Sequence, residues 1–84
     1  MPDSLQTFAD NLRLVRTERG LTQEQLADAA GLHLTHISKI ERCLCEPGAR
    51  TVAKLAQGLR ISAGPLFDGI DGGELESVGA LIPD

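Results

Sequence analysis

The chain of 84 residues has no tryptophan, no tyrosine and only two phenylalanines. A large aromatic core is therefore excluded, and the interior has to be built from Leu, Ile, Val and Ala. No apolar run approaches the roughly 20 residues of a membrane-spanning helix, and the N-terminus lacks the basic-then-apolar pattern of a signal peptide. Cysteine is scarce. Cys43 and Cys45 have a single residue between them, a poor spacing for a structural disulfide, which favours a reducing, cytoplasmic setting. No strand pattern precedes residue 74, and there is no repeat or low-complexity tract. A chain of this length makes one small domain with a modest core.

A general basic excess is also missing, since the formal net charge is −4. Taken whole, that argues against a nucleic-acid partner; the distribution reverses it. Residues 61–84 carry Asp68, Asp71, Glu74, Glu76 and Asp84 and no Lys or Arg. Within residues 33–60, Lys39, Arg42, Arg50, Lys54 and Arg60 stand against only Glu41 and Glu46, a local net charge of five minus two, +3. A local basic patch permits phosphate contact, and the acidic tail is a separate region.

Helix signals fill the rest. Over residues 4–19, Leu5, Phe8, Leu12 and Val15 line one face, with Ser4 or Asp3 as N-cap and Gly20 as stop. Residues 22–30 read as a second helix, with Thr22 as N-cap and Gln25 completing a capping box. Gly31 ends it, and residues 34–42 make a third. Residues 43–48 are a loop turning at Pro47-Gly48. Residues 49–59 form a fourth helix with Val52, Leu55, Ala56 and Leu59 inward. A short fifth, near 63–67, carries Pro65 in its first turn. The second and third helices are too short to stand alone in water. Small Ala27 and the turn at Gly31 let them pack through a shared seam of Leu26, Ala30, Ile37 and Ile40. The third helix then turns Thr35, His36 and Lys39 away from that seam.

The stretches RLVRTERGLTQEQLA (13–27), GL (31–32), ISKIER (37–42) and LAQGLRISAGPLF (55–67) resemble the lambda-repressor-like, Xre/Cro-type helix-turn-helix domains. The resemblance spans residues 8–67. It implies an all-α, five-helix DNA-binding domain over residues 4–67, followed by an acidic, Gly-rich extension, 68–84, as a dimerisation arm. Within that extension ELESVGALI (74–82) reads as a short strand or an ordered arm. The implied function is a sequence-specific transcriptional regulator, a repressor, binding double-stranded DNA at a near-palindromic operator as a homodimer. The helix at 34–42 would lie in the major groove. No cofactor and no small-molecule ligand are implied, and an antitoxin or adaptor on the same fold is the alternative function.

The resemblance and the side-chain chemistry divide the candidate residues. Lys39 can donate to guanine O6 and N7, and Thr35 can bond a base or touch a thymine methyl. His36 reads as a base donor or a phosphate contact, against an ordinary exposed histidine. Leu34 departs from the polar residue often found there, and either meets a thymine methyl or caps the core. Gln23, at the start of the second helix, and Ser38, Arg42 and Arg50 are the phosphate candidates. For Arg50, Lys54 and Arg60 a solvated helix surface competes. Arg16 and Glu41 are implied to form a structural ion pair between the first and third helices. Ile61, Leu66, Phe67, Ile70, Leu75, Val78, Leu81 and Ile82 exceed what five short helices cover, so they are the candidate dimer interface. The family's glycines after the third and fourth helices are replaced by Cys43 and Arg60. A left-handed conformation there would be strained, which puts the loop geometry and any backbone phosphate contacts in doubt. His33, His36, Cys43 and Cys45 are the ingredients for catalysis or metal binding. A nucleophile needs a positioned base and a pocket, and zinc sites favour cysteines two to four residues apart, so neither an enzyme nor a metal site is expected.

Overall fold

Four α-helices and a 3-10 turn make up the computed structural model, which describes residues 4–70. Helix α1 spans Ser4–Glu18 and buries Phe8, Ala9 and Leu12. Ser4 lies inside the helix rather than capping it, and the other cap candidate, Asp3, is outside the described residues. Helix α2 spans Gln23–Ala30. Its capping box forms in full: the Gln25 N–H donates to Thr22 Oγ1 at 3.0 Å, and the Thr22 N–H donates to Gln25 Oε1 at 2.9 Å. Helix α3, Leu34–Glu41, stops a residue short of the expected 42, and helix α4 spans Ala49–Leu59. The expected fifth helix is a single 3-10 turn, Gly64–Phe67, with Pro65 in it. Four residues starting Gly-Pro are too few for the i to i−4 ladder of an α-helix. The segment ELESVGALI and its Leu75, Val78, Leu81 and Ile82 lie outside the described residues. Among the described residues, no helix is long and apolar enough to cross a membrane.

Each α-helix ends in the same device. A residue with positive φ follows the helix, and its own N–H and that of the next residue fold back onto the last carbonyls of the helix. After α2, Gly31 (φ +69) does this, with the Leu32 N–H donating to Ala27 O at 2.9 Å. After α3, Cys43 (φ +61) takes the role: its N–H donates to Ile40 O at 3.1 Å, and the Leu44 N–H donates to Lys39 O at 2.8 Å. After α4, Arg60 (φ +59) does the same, with the Ile61 N–H donating to Ala56 O at 3.0 Å. The two positions that lack the family's glycine thus keep a glycine-type turn and carry the associated backbone strain.

Leu12, Leu26, Ile37, Ile40, Leu55, Leu59 and Leu66 fill the centre. This is the mainly aliphatic core expected from composition, with Phe8 inward as its helix face implied and Phe67 added to it, the two rings meeting with centroids 5.4 Å apart. The same fact corrects two interface residues. Leu66 is 0% and Phe67 8% exposed within the single chain. They close the core beneath α1 and offer no surface to a second copy. Asn11 fixes that closure, its Nδ2 donating to Leu66 O at 3.0 Å and to Asp68 O at 2.8 Å. Ile61 and Ile70 are half-buried against the same core. Helices α2 and α4 cross so closely at Gly58 that a Cβ there would lie 3.0 Å from both the Cβ and the backbone N of Ala30.

Candidate nucleic-acid interface

Helix α3 has two faces because Ile37 and Ile40 are drawn completely into the core. At 100° per residue this turns Thr35 and Lys39 outward, one turn apart. Both are exposed, while His36 and Ser38 are half-buried. Leu34, at the start of the helix, is 43% exposed, so it does not cap the core. Thr35, His36 and Lys39 share one open groove with His33. Sequence reasoning did not place His33 there. It is the N-cap of α3, its side chain makes no capping bond, and its carbonyl accepts from the N–H groups of His36 and Ile37 at 3.0 and 3.2 Å. Arg42 is exposed at the far end of the helix, its Nε 3.4 Å from Ser38 O, and Arg50 is exposed in the first turn of α4.

The inner side of α3 ends in a polar junction. Glu41 is the buried charged residue among the described residues, its side chain 0% exposed. Arg16 of α1 grips it with Nε at 2.6 Å from Oε2 and Nη2 at 3.1 Å from Oε1. The remaining guanidinium nitrogen, Nη1, donates to Leu21 O at 2.8 Å, which ties the α1–α2 turn into the same cluster. Burial alone would push the Glu41 carboxyl up. The hydrogen bonds from Arg16 and Gln23, with the charges of Arg16 and Arg13, outweigh burial and hold it below its ordinary value of 4.5.

Two participants are not visible in the sequence. Gln23, a phosphate candidate by position, has its Nε2 on Glu41 Oε1 at 3.1 Å, leaving one amide hydrogen to point elsewhere. Arg13, one turn before Arg16, donates from Nη2 to the backbone carbonyl of Glu41 at 3.2 Å, with Nε 3.5 Å from Oε1. A basic residue three positions before Arg16 was the only available signal for it. Lys54 is half-buried and Arg60 exposed, and neither has a hydrogen bond that brings it to this surface. Among the described residues no group of three or more His, Cys, Asp or Glu could hold a metal ion.

Two short helices crossing at a glycine turn, the second presenting a polar outer face over an apolar inner one, define a helix-turn-helix DNA-binding domain of the lambda-repressor-like type. The sequence model of the helix-turn-helix family matches residues 12–66, and the chain belongs to that family, one of DNA-binding transcription regulators and not of enzymes. It is similar to the control protein C.SmaI of Serratia marcescens, 38% identical over 65 residues that cover 77% of each chain. Among solved structures it resembles the restriction-modification controller protein C.AhdI of Aeromonas hydrophila, with a TM-score of 0.73 and 36% identity over 75% of this chain and 96% of that one. It also resembles a hypothetical transcription factor from Neisseria, with a TM-score of 0.74 and 31% identity over 89% of this chain and 84% of that one.

Proposed function

We propose that the protein is a cytoplasmic transcriptional repressor that binds a near-palindromic operator as a homodimer, with α3 as the recognition helix in the major groove. One observation carries the reading. Glu41 is the sole acid on α3, and it is turned inward and neutralised, so the outer face of the helix presents Thr35, His36 and Lys39 and no carboxylate to an anionic duplex. Lys39 and Thr35 read bases, joined by His36 and by the exposed methyls of Leu34 against thymine. Arg42, Ser38, Arg50 and the spare amide hydrogen of Gln23 hold phosphates and set the register. One such helix reads too few base pairs to find a site in a genome. A two-fold dimer doubles the readout and places half-sites about one helical turn apart. Ile61, Ile70, Leu75, Val78, Leu81 and Ile82 form the dimer contact. The relatives called control and controller proteins support the regulatory role.

Selection of bound sequences from random DNA tests this directly. A near-palindromic consensus is expected, with log K falling against log salt at a slope of about −4 to −7 for roughly 4–8 phosphate contacts. Lys39→Ala should relax one base position and cost about 1–3 kcal/mol, whereas Arg42→Ala should weaken all sequences alike. A slope near zero would mean that DNA is not the ligand.

A further inference from the structure

We infer that Arg13 is a positioning residue for base recognition, one that fixes the orientation of α3 through its backbone; this rests on α3 being the recognition helix. The last four carbonyls of a helix need partners from outside it. For α3, Ser38 O accepts the Arg42 N–H at 3.0 Å, Lys39 O the Leu44 N–H at 2.8 Å, and Ile40 O the Cys43 N–H at 3.1 Å. The fourth, Glu41 O, accepts Nη2 of Arg13. A residue on α1 therefore completes the C-terminal cap of the helix that carries the reading face, and its positive charge sits at the negative end of that helix.

Arg16 and Arg13 hold the same residue in different ways. Arg16 binds the carboxylate, which hangs on a side chain with three rotatable bonds, so α3 can roll or slide while the bridge stays intact. Arg13 also comes within 3.5 Å of Glu41 Oε1, but its hydrogen bond is to a carbonyl that moves rigidly with the helix. Glu41 is two residues from Lys39, so an error at the cap is passed almost undiminished to the Lys39 stem. Sites of this kind tolerate about 0.5 Å and 10–20° of error. Arg13 is also suited to acting on geometry more than on stability. Its side chain is 55% exposed, against 12% for Arg16, and when Arg13 is removed Arg16 still neutralises Glu41 while Gln23 still donates to its carboxylate.

The test uses the full chain and its selected consensus duplex, together with a second duplex altered at the base position whose preference Lys39→Ala relaxes. Affinity for both is measured for the wild-type chain, Arg13→Ala and Arg13→Lys, below the temperature at which circular dichroism shows each begin to unfold. Arg13→Ala should lower the ratio of the two affinities about tenfold, most of what one base contact supplies, with the salt slope unchanged. Arg13→Lys, which keeps a donor in reach of the carbonyl, should restore most of the ratio. A purely structural role would lower the melting temperature and leave the ratio alone, and that result overturns the inference. So does a salt slope reduced by about 1.8, about 0.9 for each protomer of the dimer, with the ratio intact, which would make Arg13 a phosphate contact. If the wild-type chain selects no consensus at all, the functional reading fails first and the inference with it.

Discussion

Helices α2 and α3 are both eight residues long, and they are made in opposite ways. Helix α2 is specified locally: a reciprocal capping box opens it, a glycine in the left-handed conformation closes it, and a Gly58–Ala30 crossing seats it on α4. Helix α3 opens at a histidine that makes no side-chain cap and closes at a strained cysteine. What holds it is a directional set of bonds from other elements, Arg13 and Arg16 from α1 and Gln23 from α2, all converging on Glu41. The helix that positions carries its own signals. The helix that reads is held from its inner side and its end, which leaves Thr35, His36 and Lys39 under no structural obligation.

The sharpest way to break this comparison is to remove the external hold. Arg16→Ala leaves a fully buried carboxylate without its two-pronged partner and should cost about 3 kcal/mol, the lower end for a broken buried pair because Arg16 is slightly exposed. Urea unfolding measures it. The pH dependence identifies the cause. The Glu41 carboxyl is held below its ordinary value of 4.5 in the folded chain. Its contribution is therefore full above that value and is lost as pH falls through the lowered one. The gap between wild type and Arg16→Ala should be complete at about pH 7 and narrow as the pH falls below 4.5. A gap that did not change with pH would show that Arg16 acts through Leu21 O instead.

This asymmetry also explains what could be read from the sequence. The helices of residues 4–59 were legible to within a residue or so, because apolar period, capping box and Gly31 are local signals. The polar outer face of α3 was legible for the same reason, since burying Ile37 and Ile40 dictates where Thr35 and Lys39 point. The Glu41 junction was only partly so. The family resemblance implied Arg16, but Gln23 and Arg13 reach Glu41 across 18 and 28 residues of chain, a separation with no periodic signature. Leu66 and Phe67 were misassigned to an interface because an apolar residue after the last helix reads alike whether it folds back or faces out. The fold-back depends on Asn11, fifty-five residues away from Leu66.

A smaller effect probes the seat of α2. Gly58→Ala would place its Cβ 3.0 Å from the backbone N and Cβ of Ala30. Backbone cannot rotate aside, so α2 and α4 must separate. Overpacking of this sort costs about 1–3 kcal/mol, offset by up to about 1 kcal/mol of improved helix propensity. A net loss is expected in thermal melts. A gain would mean that the crossing relaxes freely and that α2 depends on its caps alone.

The caps themselves come next. Thr22→Ala removes half of the capping box and should cost about 1 kcal/mol. The matching change at α3, His33→Ala, should leave stability nearly unchanged, since the His33 side chain caps nothing. The same change should weaken DNA binding, because His33 lines the groove with Thr35, His36 and Lys39. Equal losses of stability for the two variants, read from chemical unfolding, would erase the distinction between the helices.

The smallest effect should come from giving α3 the ending that α2 already has. Cys43 and Arg60 occupy left-handed backbone at φ +61 and +59, where an L-residue pays about 1–2 kcal/mol relative to the right-handed form and glycine does not. Glycine brings its own loss of backbone entropy, about 0.5–1 kcal/mol. Arg60→Gly, at an exposed site, should therefore stabilise the domain by about 0.5–1 kcal/mol and raise Tm by about 2–8 °C for a chain of this size. Cys43→Gly should gain less. Its single S–H is shared between Gln6 Oε1 at 3.4 Å and Leu5 O at 3.7 Å, so the substitution removes a tie between the end of α3 and α1 along with the strain. Arg60→Gly is thus the measure of strain alone, and the shortfall of Cys43→Gly against it measures how much the thiol adds to the external hold on α3. Were Cys43→Gly to stabilise as much as Arg60→Gly, the thiol would contribute nothing, and the hold on α3 would reduce to the bonds that meet at Glu41.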